Sequence, residues 1–376
     1  MAGAAGRSRD EVAAYLALAQ VPGIGSARLR TLVAAFETAA AALRAPHGAI
    51  AALPGFTRAA ASAIRAGSMR AGHEVLDQLD RLGARLLLPD DAAFPPLLHE
   101  IPEPPALLYV WGDVALLARP AAGIVGSRDH SAYGAEAARV LASGVARAGV
   151  VVTSGMARGI DAIAHAAALD SGGASIGVLG NGFGVIYPAA NRALYDRMKV
   201  GGCLITELPP GERPHAGAFP RRNRLISGVA GVTVVVEAAP GSGALITADC
   251  ALDQGRAVLA VPGPITSPTS LGCNRLIQQG AKPALTAGDI LEELGLPGGA
   301  QVSVERPGAE SRERPLPPDL SGLQRFLWEA LRTEPKHVDA LVATAGTDTG
   351  AVLTALTELE MRGVVKQEPG MVFGLA

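Results

Sequence analysis

Charge is scarce in this chain: only 18% of its residues are Asp, Glu, Lys or Arg, aromatic side chains make up 4%, and there are three cysteines. Each scarcity excludes something. With 33 basic against 35 acidic residues the formal net charge is -2, which excludes a protein that coats nucleic acid indiscriminately. A local basic groove stays open, because screening confines strong electrostatic action to within roughly 10 Å. Cys203, Cys250 and Cys273 form neither a disulfide framework nor a metal-ligand spacing, so they read as packed thiols in a reducing cytosol. His130, His165 and His215 are scattered and suggest no metal. The apolar stretches are broken by Gly, Pro or Arg, and none approaches the roughly 20 residues of a membrane span. The N-terminal stretch lacks the apolar segment of a signal peptide, so the expected location is cytoplasmic.

What is present is apolar and small. Hydrophobic residues are 49% of 376, with 46 glycines, enough for two or three domains with sizeable cores. Residues 1–72 read as an all-helical, Ala-rich domain. Its turns "VPGIG" and "LPGF" each separate two helices, with Ser26 and Thr57 as expected N-caps. The pattern is that of helix-hairpin-helix or SAM-like units. Such turns can offer backbone N–H groups to a phosphate or serve packing alone, and the sequence leaves both open. Residues 297–318, rich in Pro, Gly and charge, read as a linker. Residues 319–376 read as three helices and a hairpin turned at Glu368-Pro369-Gly370, a small winged-helix domain.

Between these, residues 73–296 form the central domain. After a Pro-rich lead-in with two short strands, the stretch from 121 alternates apolar strands with helices: "AAGIVGS", "VVVTSG", "ASIGVLGNG", "GCLITEL", "VTVVVEA" and "AVLAVPG". Strands apolar on both faces, each followed by a helix, predict a doubly wound parallel sheet, an α/β Rossmann-like fold.

Five of the strands finish in polar, Gly-bearing turns, at 125–131, 153–161, 179–191, 206–212 and 237–247. In a doubly wound sheet these turns gather at the carboxyl edge, where ligands bind. Glycine lets main chain approach an anion, and the following helix N-termini favour one. Ser127, Ser154, Thr206 and Ser242 are expected to add donors. A dinucleotide is not indicated, because the first turn is Gly126-Ser127-Arg128 and the second strand ends in Thr153-Ser154-Gly155, without a carboxylate. No Walker A sequence occurs.

Arg128, two residues past a strand, is placed either for a phosphate or for a surface pair with Asp129. In "AFPRRNRLISG" the residues Arg222, Asn223 and Arg224 are expected to open a helix. Three successive helical residues cannot share one face. One or two of them can face the strand-end cleft, and the other packs or binds a carboxylate such as Glu207 or Glu237. A purely structural salt-bridge network is the competing reading of this cluster. In the third turn Phe183 is the candidate for stacking on bases, while Tyr187, before Pro188, reads as core.

Taken together, "GSRDHSAYG", "SGMARGIDAIAHAAAL", "VLGNGFGVIYPAAN", "FPRRNRLISG" and "SGALITADCALDQGR" resemble the DNA-processing protein A (DprA/Smf) family, closely over about residues 120–285. The resemblance implies a single-stranded DNA-binding recombination mediator of natural transformation that protects incoming DNA and helps load RecA. It implies a homodimer through the Rossmann-like domain, no cofactor and no enzymatic activity. The residues it would bring to the DNA are Gly126, Ser127, Arg128, Ser154, Gly155, Asn181, Phe183, Arg192, Arg222, Asn223 and Arg224. Some family members carry a basic residue just after the Tyr-Pro of the third turn. Here Ala189 and Ala190 stand there, and Arg192 is the substitute charge. Two rival readings stay open. One is a nucleoside-monophosphate N-glycosidase on the same fold, using Glu207, Glu237, Asp161 and Arg128. The other is a duplex-binding regulator using the winged helix, whose third helix is acidic and poorly suited to a major groove.

Overall fold

The structure is a computed structural model, described over residues 6–297, 320–332, 336–368 and 371–375. The chain divides into two compact units, residues 1–302 and 303–376. The expected linker lies outside the described residues except for Pro297, and so do Pro369 and Gly370 of the expected turn.

The first unit begins with six helices: α1 (Arg9–Ala19), α2 (Ser26–Phe36), α3 (Ala39–Arg44), α4 (His47–Ala51), α5 (Arg58–Arg65) and α6 (Met69–Leu82). Thr57 caps α5 by accepting from the Ala60 N–H at 3.1 Å. Ser26 does not cap α2. The cap position is Gly25, and the Ser26 hydroxyl reaches the Glu207 carboxylate at 3.4 Å instead. The carboxylate can compete for the hydroxyl because the six helices pack directly on the sheet-bearing part of the unit. Leu16, Leu29 and Leu76 share one core with Tyr109, Leu179 and Leu204, and the buried Tyr15 hydroxyl donates to the Ala106 carbonyl at 2.8 Å.

A nine-stranded sheet comes next, built of β1 (Arg85–Leu87), β2 (Leu108–Gly112), β3 (Ala121–Val125), β4 (Val151–Ser154), β5 (Ser175–Val178), β6 (Gly202–Thr206), β7 (Val232–Val235), β8 (Ala257–Ala260) and β9 (Lys282–Pro283), in the order β1-β2-β6-β5-β4-β3-β7-β8-β9. From β6 to β9 all neighbours are parallel. The two lead-in strands join antiparallel beside β6 and cover an edge that would otherwise expose unpaired main chain. Helices α7 (Ala132–Arg147), α8 (Ile160–Asp170), α9 (Arg192–Gly201), α10 (Ala218–Gly228), α11 (Gly243–Asp253), α12 (Leu271–Gln278) and α13 (Ala287–Glu293) connect and flank the strands. Strands β3, β4, β5, β6 and β7 are buried along their whole length, as sequences without polar alternation require. The chain winds outward from β3 to β6, then crosses through α10 to β7 on the other side of β3. The carboxyl ends of β3 and β7 are therefore the topological switch point of the doubly wound sheet, where such folds open a crevice.

The second unit holds α14 (Gly322–Ala330), β10 (Lys336–His337), α15 (Val338–Ala345), α16 (Thr349–Met361), β11 (Val365–Glu368) and β12 (Val372–Leu375), with strand order β10-β12-β11. Leu327, Leu341, Leu356, Leu359 and Phe373 form its core. Three helices and a small antiparallel sheet make a winged helix. Among the described residues no helix is long and apolar enough to cross a membrane, and no cluster of three metal-ligating side chains occurs.

Close approach of α1 and α6 depends on Gly72, where an added Cβ would lie 1.9 Å from the Ala13 carbonyl oxygen. Main chain on both sides cannot yield cheaply. Gly72→Ala is expected to lower the unfolding free energy by about 1–3 kcal/mol in a denaturant titration, against unchanged stability if the helices can separate freely.

Candidate nucleic-acid interface

Helix α10 begins at Ala218, four residues before Arg222. Pro220 is tolerated because it falls in the first turn, where its missing N–H costs nothing. Arg222, Asn223 and Arg224 therefore do not open the helix, and the three side chains leave its second turn in different directions. Arg224 turns to Glu207, at 2.5 Å, one of the two carboxylates anticipated for it. Asn223 turns to α11, donating to the Gly243 carbonyl at 3.1 Å while accepting from the Arg222 Nε at 3.2 Å. Arg222 is buried under the ends of β4 and β5. One of its terminal nitrogens donates to the Gly155 carbonyl at 2.5 Å and also to the Val178 carbonyl.

Around this guanidinium the turn after β4 is pinned group by group. Asp161 accepts from the Gly155 N–H at 3.1 Å and the Ala157 N–H at 3.4 Å. Asn191 donates to the carbonyls of Met156 and Ala157, at 2.9 and 3.2 Å. Met156 sits at φ 55°, a left-handed conformation uncommon for its type. Gly159 has φ 82°, and an added Cβ there would stand 2.4 Å from the Ser127 carbonyl, so the turn after β3 lies directly against it. At Gly155 a Cβ would meet Arg222 and Asp161, each at 2.7 Å. Burial pushes the Arg222 guanidinium down to about 10, while the Asp161 carboxylate holds it up. Arg222 therefore stays charged at neutral pH. Burial likewise raises the Asp161 carboxyl, opposed chiefly by Arg222.

Three openings surround the first two turns of α10, and Arg222 borders all of them. A central cavity of about 260 Å³ lies between the turns after β4 and β5 and includes Arg128, Gly155, Asn181, Tyr187 and Phe219. A cleft of about 640 Å³ lies at the switch point, walled by Gly126, Ser127 and Arg128 on one side and Gly241, Ser242 and Gly243 at the start of α11 on the other. The N-terminus of α11 carries no acidic residue in its first turn, so main chain and dipole favour an anion there. A third cleft of about 350 Å³ lies toward the hairpin between α1 and α2. Arg128 is exposed, and its guanidinium lies 5.7 Å from the centre of the Phe219 ring. It takes part in no ion pair among the described residues; Asp129, its expected alternative partner, pairs with Arg158 at 3.0 Å.

Several expected site residues play other parts. Phe183 is 2% exposed, with its ring edge-on to Trp111 at 5.6 Å, and cannot receive a base. The aromatics at this cavity are Tyr187, 43% accessible, and the half-buried Phe219, whose rings lie 5.5 Å apart. Tyr187 is thus not core, because its Tyr187–Pro188 segment stands at the cavity mouth. Phe219 escapes a reading of the sequence although it adjoins the arginine cluster; the early start of α10 is the clue that would reveal it. The Ser154 hydroxyl donates to the Ile124 carbonyl and the Ser127 hydroxyl to the Asp129 carbonyl, so neither is a spare donor. Ser242 accepts from the Ala244 N–H as a helix cap, and Thr206 accepts from the Leu208 N–H. Asn181 borders the central cavity, but its amide donates to the carbonyls of Gly182 and Val185. Arg192, exposed at the start of α9, is absent from the walls of the three openings.

Comparison with known proteins places these features. A family model described as DNA recombination-mediator protein A matches residues 85–295, and one described as DprA winged helix domain matches residues 311–371. The chain is 34% identical over 393 residues to Protein Smf of Synechocystis sp., covering 97% of this chain and 98% of that one. The X-ray structure of DNA processing protein A (DprA) from Streptococcus pneumoniae superposes with a TM-score of 0.68 at 32% identity, over 76% of this chain and 98% of that one. DNA processing protein A from Helicobacter pylori, whose structure was described for its single-stranded DNA binding mode, gives 0.51 at 27% identity over 56% and 95% of the two chains.

The pinned turn has a measurable signature. His165 is buried, its Nε2 accepting from the Met156 N–H at 3.4 Å and its Nδ1 lying 2.7 Å from Ser175 Oγ. Burial, with Arg222 nearby, lowers it from 6.5 to about 3. Only the unfolded chain then takes up this proton between those values, so stability is lost as pH falls from 6.5 toward 3. The stability advantage of wild type over His165→Gln is expected to shrink by about 1.4 kcal/mol per pH unit in that window. A pH-independent difference would show a solvated imidazole.

Proposed function

The chain belongs to the DNA recombination-mediator protein A family, and on that premise we propose that it binds single-stranded DNA, without sequence preference, at the carboxyl edge of its sheet. The observation that carries this is the placement of an exposed Arg128, in no ion pair among the described residues, beside the half-buried ring of Phe219 and the exposed ring of Tyr187 at one cavity. A guanidinium suits a phosphate and a ring suits any base, which together make a sequence-tolerant site for an unpaired strand. Stacked bases inside a duplex would not present their faces to these rings. The role proposed for the bound state is protection of incoming DNA and delivery to RecA in natural transformation. The Helicobacter pylori relative's described binding of single-stranded DNA supports the first part of this reading; the RecA step rests on family likeness. A homodimer through the sheet-bearing unit is part of the proposal, supported by the exposed apolar side chains Leu252, Leu271 and Leu285 in the half of the unit that carries β7 to β9.

We place catalysis outside this function. Glu237, buried, accepts from the Ser131 N–H and hydroxyl at 2.8 and 2.6 Å and from Thr269 at 3.1 Å. Glu207 is held by Arg224. Of the carboxylates an N-glycosidase would need, Glu237 and Glu207 are thus engaged, and Asp161, which borders the switch-point cleft, is held by main-chain N–H groups. Helix α16 carries Glu358 and Glu360 and no Lys or Arg from Thr349 to Met361, which argues for a protein-facing or structural winged helix rather than a duplex reader.

Oligo-dT is expected to bind more tightly than a matched duplex. Phe219→Ala should cost about 1–3 kcal/mol of oligo-dT affinity through lost stacking. Arg128→Ala should flatten the dependence of log affinity on log salt by roughly 0.7 for its one phosphate contact. Titrations followed by fluorescence anisotropy across a salt series read both. Unchanged affinity and slope in the two variants, or release of free base from nucleoside monophosphates, would contradict the assignment.

A further inference from the structure

The hairpin "VPGIG" faces the DNA edge of the sheet. The third opening, about 350 Å³, has Gly23, Gly25 and Ser26 of this hairpin on one wall and His215 and Arg221 on the other. Its floor is apolar, with Leu29, Leu107, Leu179 and Leu225 all at least nine-tenths buried. It shares Leu179, Gly180 and Arg222 with the central cavity, which in turn shares Arg128, Phe219 and Arg222 with the switch-point cleft. The three openings thus adjoin one another around α10 and line up as a candidate trench.

The charge at the hairpin end is favourable. Glu207 also borders this cleft, but its oxygens face the Arg224 guanidinium and the Ser26 hydroxyl, so its charge is compensated within the wall. Arg221 and His215 are exposed, and Arg221 takes part in no ion pair among the described residues. Gly23 and Gly25 leave main chain on the opposite wall bare of side-chain bulk, so a strand can lie close against it. A cationic lip over an apolar floor is the arrangement that suits a nucleotide, with phosphate outward and base inward.

We propose that the cleft between the N-terminal hairpin and α10 is a second station of the strand-binding trench. It takes the sugar-phosphate and base of the nucleotides adjoining those in the central cavity. This rests on the single-stranded DNA reading given above and extends it, because it makes the N-terminal helical segment part of the binding surface. The occupant is the same unpaired strand, and the consequence is a longer footprint than the sheet edge alone provides.

The test is a length series of oligo-dT, titrated against the full chain and two variants. Arg221→Ala removes an exposed cation. Gly25→Glu adds a carboxylate on the opposite wall, where a Cβ meets open space and φ is -85°. An acidic group at a helix N-terminus does not weaken the fold, and equal thermal midpoints check this. For wild type, affinity rises with length and then levels off. Both variants should bind the shortest oligomers like wild type and lose roughly tenfold on the longer ones. The salt slope for long oligomers should fall by about 0.7 in Arg221→Ala, the share of one phosphate contact on a single strand. Equal losses at every length, or none at any length, would overturn the second station while leaving the central site standing. Failure of wild type to bind any oligomer would remove the underlying reading, and this one with it.

Discussion

One buried cation organises the functional edge of this protein. The Arg222 guanidinium ties α10 to the carbonyls of Gly155 and Val178 at the ends of β4 and β5, and it borders each of the three openings. Burying a guanidinium is costly unless its protons and charge are matched. Main-chain carbonyls match the protons, and Asp161, across Gly155, offsets part of the charge. The ring of dependencies is short: Asp161 holds the turn after β4, that turn receives Arg222, and Arg222 fixes the helix that presents Phe219. Substituting any member would leave a buried charge or carbonyl without its partner, so binding and stability are coupled at this point.

A chain of net charge -2 can still offer a local site suited to the polyanion proposed for it. The charge that matters is local. Basic side chains outside the trench are paired in Arg9 with Asp77, Arg197 with Asp170 and Lys282 with Glu292. Arg128 and Arg221 stand at its mouth in no ion pair among the described residues. Within a screening length of about 10 Å these outweigh the distant acidic residues. The N-terminal helices share a core with the sheet, and this fixes their hairpin opposite α10.

Much of the fold was legible because burial on both faces of a parallel sheet writes continuous apolar runs such as "VVVTSG" and "VTVVVEA", and glycine marks each strand end. The order of strands, and hence the switch point, was not legible, since crossovers leave no local trace. The antiparallel pairing of β1 and β2 was hidden for the same reason. Arg128 and Asn223 border the switch-point cleft, a location suggested by their positions after a strand and on a helix. The aromatic roles were not. Phe183 is buried against Trp111, which lies far away in the sequence, while Tyr187 stays 43% accessible although the distant Phe219 ring lies 5.5 Å from its own. Exposure is decided by tertiary neighbours. The serine hydroxyls show the same limit: Ser154 reads as a donor for a ligand, yet the adjacent strand's Ile124 carbonyl already accepts its proton.

The most direct measurement is a crystal structure of the full chain with a short thymidine oligonucleotide. The expected result is a single extended strand bending around the first turns of α10, with a phosphate on Arg128 and a base against Phe219 or Tyr187. A strand bound elsewhere on the chain, with the Arg222 trench empty, would contradict the assignment of the sheet's carboxyl edge as the binding surface.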